Sequence, residues 1–595
     1  MANTESMDNQ DSRRALDLPD PGVGPQGSLS VPGETAKVAK ILLEKYPAVP
    51  LEQLEDRYPP RDHSSPVTRV APSPTGQMHV GGVYMALINY LFAKQQDGRF
   101  FLRIEDTDQV RQVDGASDGI SSALTRFQIV PDEGPSTDGR VNGDRGMYGP
   151  YMQSRRLDIY WAAALDLLIK GKAYLCFATA EELDKSRLEQ QKSGAAPGYY
   201  GRWALWRDAD PELVRQKLLT DAPFVVRLRS EHQAGETIKW TDLIKGEITQ
   251  AANFLDIVLI KPDRYPTYHF AHAVDDHFMR TTHVLRGEEW VSSVPVHLQL
   301  FGAFNWAAPQ YGHAPLLQKI EVKEQIDPET GEARQVVSRR KISKRHDPEA
   351  AVDHYFQEGY CHKAITDYLL NIANSDFEQW RMAYPNRSWT EFPLRLSNFG
   401  VGALLDSQKL ESINRDWIAK MTIDEMYESC IAWAQQNAPD LGDELSKDPV
   451  YAKQVLDIER GAKRMKTWRD LRAHIEPFYD KFYLARQALP LPPRVSVEDA
   501  KHFLQLVGES RENGVPREVW FNSLRELGVQ MGFAGDAKQY KAAPQTYKGI
   551  VGDLMMLLRH AYCRSDRSPD LYQVEQALGH DIARGRLAGY ADLLA

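Results

Sequence analysis

The stretch that most constrains this chain is RVAPSPTGQMHVGG at residues 69–82, answered far downstream by KISKR at 341–345. The first piece reads as a strand from Thr68 to Ala71, a Pro/Gly loop, and a helix with an apolar face of Ala86, Leu87, Tyr90 and Leu91. His79, Gly81 and Gly82 stand where that helix begins. Unpaired N–H groups and the positive dipole end of a helix start favour a phosphate. Glycines let a nucleotide approach the backbone, and an imidazole can hydrogen-bond a phosphate oxygen as charge develops. In isolation, His79-x-Gly81-Gly82 reads best as a tight strand-to-helix turn, and KISKR as a basic surface loop. Together, with the Pro72–Gly76 lead-in, they outline an ATP site.

At 595 residues the chain should hold three or more domains, since single cores rarely grow beyond ~250–300 residues. No apolar run approaches the ~20 residues needed to span a membrane, so no membrane partner is expected. A net charge of −10 argues against a uniformly basic nucleic-acid coat but leaves room for a local basic track. The four cysteines (Cys176, Cys361, Cys430, Cys563) are scattered without CxxC spacing, which supports neither a disulfide framework nor a zinc site. They fit a reducing compartment.

Residues 1–65 read as a poorly ordered N-terminal extension, rich in Ser, Asp, Gly and Pro as far as Glu34, with a short helix possible from Ala36 to Glu44. Transit peptides are Arg-rich and poor in acids. Residues 1–35 hold six acidic residues against two arginines, a poor match.

Residues 66–150 alternate strand and helix. The strand Arg99–Ile104 ends in Glu105-Asp106-Thr107-Asp108, and ligands of open parallel sheets gather beyond the carboxyl ends of strands. Glu105 is thus placed to hold a cation such as a substrate amine, whereas Asp106 and Asp108 are as well explained as helix caps. Residues 151–266 interrupt the alternation with helices at Arg156–Gly171 and Ala180–Lys192 and short strands at Phe224–Leu228 and Ile257–Ile260, as in an inserted subdomain. Its run Tyr199, Tyr200, Arg202, Trp203, Trp206, Arg207 suits equally a grip on a single-stranded nucleic-acid end or a small local core. The sheet is expected to resume over 267–318, at Thr267–Phe270 and then at Val284 to Trp290, with a covering helix at Pro295–Phe304. Residues 319–339 read as a surface hairpin or loose loop turning at Asp327–Gly331. From Ile342 the chain turns helical, 319–410 carrying the KISKR loop and 411–595 forming an all-helical end. There Arg460, Lys463, Arg464, Lys466, Arg469 and Arg472 give either a solvated face or a phosphate track.

TRVAPSPTGQMHVGG, FFLRIEDTD, YPTYHFAHAVDDH, VLRGEEW and KISKR occur in the order seen in glutamyl-tRNA synthetases of the bacterial and organellar type. The chain resembles that family from about Val67 onward, densely to Asp347 and more thinly in LRHAYC and LYQVEQALGHD. The resemblance implies an α/β fold: a class I Rossmann catalytic core, an inserted acceptor-binding subdomain, a stem-contact region and an all-α anticodon-binding region. It implies that glutamate attacks the α-phosphate of Mg-ATP, and that glutamyl-adenylate then acylates the terminal adenosine of tRNA-Glu, with tRNA-Gln a possible second substrate. His79 and Lys344 become the catalytic pair. Arg69, Ala71, Glu105, Tyr268, His272 and Arg286 become the glutamate pocket, although His272 replaces a smaller residue, often Asn, of many relatives. His79, Gly81, Gly82, Glu289 and the run Lys341, Ile342, Ser343, Lys344, Arg345 become the ATP site. Arg460, Lys463, Arg464 and Lys466 are the tRNA candidates. No zinc is expected, because only Cys176 stands in the insert; the monomer is the family's usual state. The arm ahead of the core resembles mitochondrial members, which suggests the mitochondrial matrix, with the cytoplasm as alternative because the arm is acidic. A glutaminyl-type synthetase would carry a β-barrel-rich end, a small adenylyltransferase would be far shorter, and an inactive tRNA-binding paralogue would have lost His79 or the KISKR lysines.

Overall fold

The computed structural model describes residues 34–594 apart from 62–63, 109, 137–142, 327–332, 401 and 511–513. The expectation of disorder at 1–33 and the turn at 327–331 lie outside these residues.

The arm is not loose from Glu34 onward. Helices α1 (Glu34–Lys45) and α2 (Leu51–Arg57) bury Leu42, Leu54 and Tyr58 in the same apolar cluster as the catalytic core. The short helix read at Ala36–Glu44 falls within α1, whose Val38, Ile41 and Leu42 share one packed face; what composition passed over is α2 and the docking of both helices.

The core is a parallel sheet. Strand β1 (Val67–Val70) leads through α3 (Val80–Lys94) to β2 (Arg99–Leu102), which pairs with β1 in parallel. Helix α4 (Ala116–Arg126) follows. The insert holds α5 (Leu157–Ile169), β3 (Ala173–Cys176), α6 (Ala180–Ser193), α7 (Pro211–Leu219), β4 (Val225–Leu228), the hairpin β5 (Thr237–Asp242) and β6 (Gly246–Ala251), and β7 (Val258–Ile260). Strands β3, β4 and β7 form an antiparallel sheet of their own, but β5 joins the core, pairing in parallel at Asp242 with Tyr311. The insertion therefore does not close as one block.

The segment Thr267–Phe270 is not strand: Tyr268–Phe278 is helix α8. Four alternating residues cannot separate the two periods, and the apolar face of α8 (Phe270, Ala271, Val274, Phe278) sets the winner once it is buried. Strand β8 (His283–Gly287), helix α9 (Val294–Phe304) and β9 (Gln310–Ala314) complete the unit. β9 pairs with β8 in parallel, and Thr282 bonds Val67 through both its backbone N–H and its hydroxyl, which ties β8 to β1. The hydrophilic segment that follows is an antiparallel ribbon, β10 (Leu317–Ile326) and β11 (Ala333–Lys341), to which the short strand Ala403–Leu404 adds in parallel at Leu317 and Gln318.

Beyond it the chain is helical apart from the short strand Ala403–Leu404. Residues 342–410 pack against α3 through Tyr355, Ile365, Leu369, Ala373 and Trp389. The helices from Ser407 to Leu593 enclose a separate apolar core that includes Leu441, Val455, Leu471, Ile475, Phe503, Trp520 and Leu557.

The N-terminal helices brace this assembly. The Glu55 carboxylate holds His277 and Arg280, each at 2.6 Å, at the far end of α8, and Lys45 pairs with Asp221 just beyond α7.

Candidate active site

The loop and the helix start meet. His79 caps α3, its Nδ1 accepting the Gly81 N–H at 2.9 Å. A side chain at Gly81 would run into that ring, with a Cβ 2.9 Å from Nδ1, so the position needs glycine. With Nδ1 an acceptor, the ring proton sits on Nε2, and the imidazole lies close to the Ile342 backbone of the KISKR loop. Burial, then the nearby Lys344 and Lys341, hold the ring's pKa below its usual 6.5, so it is a neutral donor at neutral pH. Lys344 reaches the Gln77 carbonyl, two residues before His79, and partial burial lowers its pKa. Lys341 pairs with Glu289 at 2.8 Å.

The loop is anchored from both sides. Ile342 is buried, and Val352 donates to the Met78 carbonyl at 3.0 Å. Asp347 takes a fork from Arg340 (2.6 and 2.7 Å) and the Ser343 N–H (2.9 Å); the Arg340 bond is the main cause that holds its carboxyl well below the ordinary range. Ser343, Lys344 and Arg345 thus form a tight turn beside the glycines of α3, Gly81 and Gly82. Arg345 is exposed and makes no ion pair among the described residues.

Beyond the carboxyl ends of β1, β2 and β8 lies a second constellation. Arg69 is nearly buried and lays its Nε and one Nη side-on to Asp276, both at 3.2 Å. Arg103, wholly buried, reaches the same carboxylate at 2.7 Å and Glu105 at 3.0 Å. Asp276, between two guanidinium groups, is buried, which raises its pKa, but Arg69 and Arg103 together pull it down to about 2. Burial outweighs Arg103 and Arg69 at Glu105 and raises its carboxyl above the usual range. Asp275, the neighbouring acid, is held by Arg156 (2.7 Å) and by Tyr160 and Gln153 (2.8 Å each). Two acids within the apolar run AHAVDDHF are the one sequence signal for this network, since carboxylates on a buried helix must find partners.

Arg286 differs. It is 6% exposed, yet no carboxylate pairs with it among the described residues. Its contacts are neutral: His313 at 3.0 Å, the Trp290 carbonyl at 3.1 Å, and His297 and the Tyr268 hydroxyl at 3.4 Å each. Tyr268 stacks on Trp290, centroids 4.5 Å apart, and Ala71 closes the end of β1. Arg286 reaches the Tyr268 hydroxyl at 3.4 Å, and that hydroxyl, its pKa raised chiefly by burial, also feels the charges of Glu105 and Arg69, so the four side chains bear on one space. His272 does not line it. The ring is wholly buried behind Arg69 (3.3 Å) and stacked on His297 at 4.1 Å, and burial drives its pKa well below 6.5. It supports the pocket wall.

Asp106 is a structural cap, taking the Ser154 N–H at 2.7 Å and its hydroxyl at 2.5 Å; Asp108 pairs with Arg111. In the insert, Tyr199 and Trp206 join a small local core with Cys176 and Tyr174, while Arg202 and Trp203 line an open hollow of about 510 Å³. The basic run near the end is not one helix. It stops at Ala462, where Lys463 takes a left-handed conformation (φ 51°). Arg460 is spent on Asp457, Arg464 on the buried Glu459 and Lys466 on Glu411, so only Lys463 of the four makes no ion pair among the described residues.

The sequence model of tRNA synthetases class I (E and Q), catalytic domain, matches residues 66–381. The chain belongs to that family. Curated relatives of this class I synthetase include the glutamate–tRNA ligase of Sorangium cellulosum, 44% identical over 91% of this chain and 97% of the relative. That of Clostridium perfringens strain 13 is 39% identical over 89% and 96%. A crystal structure of a glutamate tRNA ligase from Elizabethkingia meningosepticum in complex with its amino acid superposes with a TM-score of 0.66 at 26% identity, covering 89% of this synthetase and all of that chain. These relatives are bacterial and give the mitochondrial expectation no support. Among the described residues no helix is long and apolar enough to cross a membrane.

Proposed function

We propose that this class I synthetase is a glutamate–tRNA ligase, and that Arg286 is the residue that recognises the side-chain carboxylate of glutamate. The observation that carries the reading is the buried cation without a carboxylate. Arg69 already has its own in Asp276, whereas Arg286 is held by neutral acceptors and keeps its full charge for a ligand. Breaking such a buried pair costs about 3–5 kcal/mol, so glutamine should lose by about two to three powers of ten. Glu105, whose raised pKa marks an under-compensated carboxylate, takes the substrate ammonium.

The chemistry needs no enzyme nucleophile. The α-carboxylate of glutamate attacks the α-phosphorus of Mg-ATP, the α–β bridging bond breaks and pyrophosphate leaves. A hydroxyl of the terminal tRNA adenosine then attacks the acyl carbon and AMP leaves. The protein supplies position and charge. The neutral Nε2–H of His79 donates to a phosphate oxygen, and the Lys344 ammonium follows the phosphates on its turn. Gly81 and Gly82 allow close approach, while Glu289 and Lys341 flank the nucleotide, with Ser343 and Arg345 on the same turn. The exposed Lys463 and its neighbours Arg460, Arg464 and Lys466 contact tRNA, and the enzyme acts as a monomer.

The test is glutamate-dependent exchange of pyrophosphate into ATP with tRNA present. Lys344→Ala should lower the exchange rate by about 10²–10³-fold with an unchanged circular dichroism spectrum. No exchange by the unaltered chain would leave a tRNA-binding paralogue; equal exchange with glutamine would point to the glutaminyl branch. Charging of purified tRNA-Glu and tRNA-Gln transcripts in turn decides whether one or both are substrates.

A further inference from the structure

Arg286 sits opposite His313 across the β8–β9 ladder, and β5 brings Asp242 alongside at Tyr311. Three residues from three strands therefore line up across one sheet: the Arg286 Nε lies 3.0 Å from His313 Nε2, and His313 Nδ1 lies 2.6 Å from Asp242 Oδ2. Histidine and aspartate are both fully buried. We propose that Asp242 and His313 are positioning residues for Arg286, which fix the direction of its guanidinium without neutralising it. This rests on the reading of Arg286 as the carboxylate-binding residue.

The proton positions follow from the donors. An arginine Nε always donates, so His313 Nε2 must offer a lone pair. The ring proton is then on Nδ1 and donates to Asp242. Asp242 cannot turn away, because its other oxygen accepts the N–H groups of Ile244 (2.9 Å), Lys245 (2.8 Å) and His313 itself (3.2 Å). The same logic applies on the other side of the guanidinium. His297 Nδ1 faces an Arg286 Nη at 3.4 Å, so its Nε2–H points at His269 Nδ1, 3.1 Å away. Two neutral rings thus hold Nε and one Nη, and the remaining Nη stands beside the Tyr268 hydroxyl on the ligand side.

The contrast with Arg69 shows what the spacer does. There a carboxylate lies side-on against the guanidinium and uses it up. At Arg286 the carboxylate is one imidazole removed, so it sets orientation while the charge stays available.

Asp242→Asn in the full chain is the decisive variant. The backbone N–H groups keep the amide oxygen, so the NH2 faces His313 Nδ1. The ring must move its proton to Nε2, where it confronts the Arg286 Nε–H, the wrong-tautomer effect seen when a histidine-orienting aspartate is made asparagine. In tRNA-supported exchange, the KM for glutamate should rise about 10–100-fold while the KM for ATP stays near that of the unaltered enzyme. His313→Gln, whose amide can accept from Arg286 and donate to Asp242, should keep most of the glutamate affinity. Nitrogen NMR of the unaltered protein should show His313 as the Nδ1–H tautomer. An unchanged glutamate KM in Asp242→Asn, an equal rise for ATP, or an Nε2–H tautomer in the unaltered protein would overturn the inference while leaving the ligase reading intact. Absence of glutamate-dependent exchange in the unaltered protein would overturn both.

Discussion

The catalytic half and the helical end of this chain both have apolar cores but differ in the charge they bury beside them. Around the pocket, Arg69, Arg103, Arg156, Asp275 and Asp276 are all withdrawn from water within one ion network, with neutral histidines packed beside it. The helical end buries leucines, aromatics and two tryptophans, Trp468 and Trp520; of its buried carboxylates, Glu459 and Asp553 each have a single arginine partner, Arg464 and Arg494, and Glu575 accepts from the Tyr562 hydroxyl at 2.6 Å. Buried ion networks add little net stability but resist rearrangement and are costly to break. Apolar cores give stability in proportion to area and yield gradually. The difference teaches that the front of the molecule is built to hold directions, the back to hold together.

The largest effect that would test this contrast is Asp276→Asn. It strips two buried arginines of their shared carboxylate and should cost about 3–5 kcal/mol, seen by urea unfolding, with the loss of hydrogen-exchange protection confined to α8 and its neighbours. Spread of that loss into the helices beyond Ser407 would break the comparison.

Acid should separate the halves next. Burial lowers the pKa of His79, His269, His272, His297 and His313. The unfolded chain takes up protons near 6.5 that the folded form refuses, so stability is complete above that pH and falls as pH drops below it. Each such proton is worth about 1.4 kcal/mol per pH unit. The helical end holds one shifted histidine, His474, also lowered by burial. Hydrogen exchange at pH 5.5 against 7.5 should therefore open the catalytic half first; simultaneous opening would count against the contrast.

The smallest effect is the reciprocal one. Ile475→Val, at a fully buried site in the helical core, should cost about 0.5–1.5 kcal/mol there and leave the KM for glutamate untouched.

The ATP-side constellation was legible because each of its pieces is local: a helix start with two glycines, and a loop with two lysines. Their meeting needed no more than the order of the motifs. Arg286 and Glu105 were legible from their place at strand ends. The residues that orient them were not, because Asp242, His313 and Asp276 acquire meaning only through partners tens to hundreds of positions away. Thr267–Phe270 reads as strand in the sequence because four residues do not carry a period. The cationic run after Val455 reads from sequence as either a solvated face or a phosphate track, because sequence shows the charges but not the carboxylates that pair with Arg460, Arg464 and Lys466. Glu411 lies 55 positions upstream of Lys466 with three helices between them, and no periodicity joins them.

Helices α1 and α2 lie upstream of residue 66, where the match to the catalytic-domain model begins. The start of that match is therefore not a position at which this polypeptide can be cut. A version trimmed to residue 66 would uncover the apolar seat of Leu42, Leu54 and Tyr58 and release His277 and Arg280 from Glu55, unseating the rear of the helix whose front carries Tyr268. Shortened versions should start ahead of Glu34.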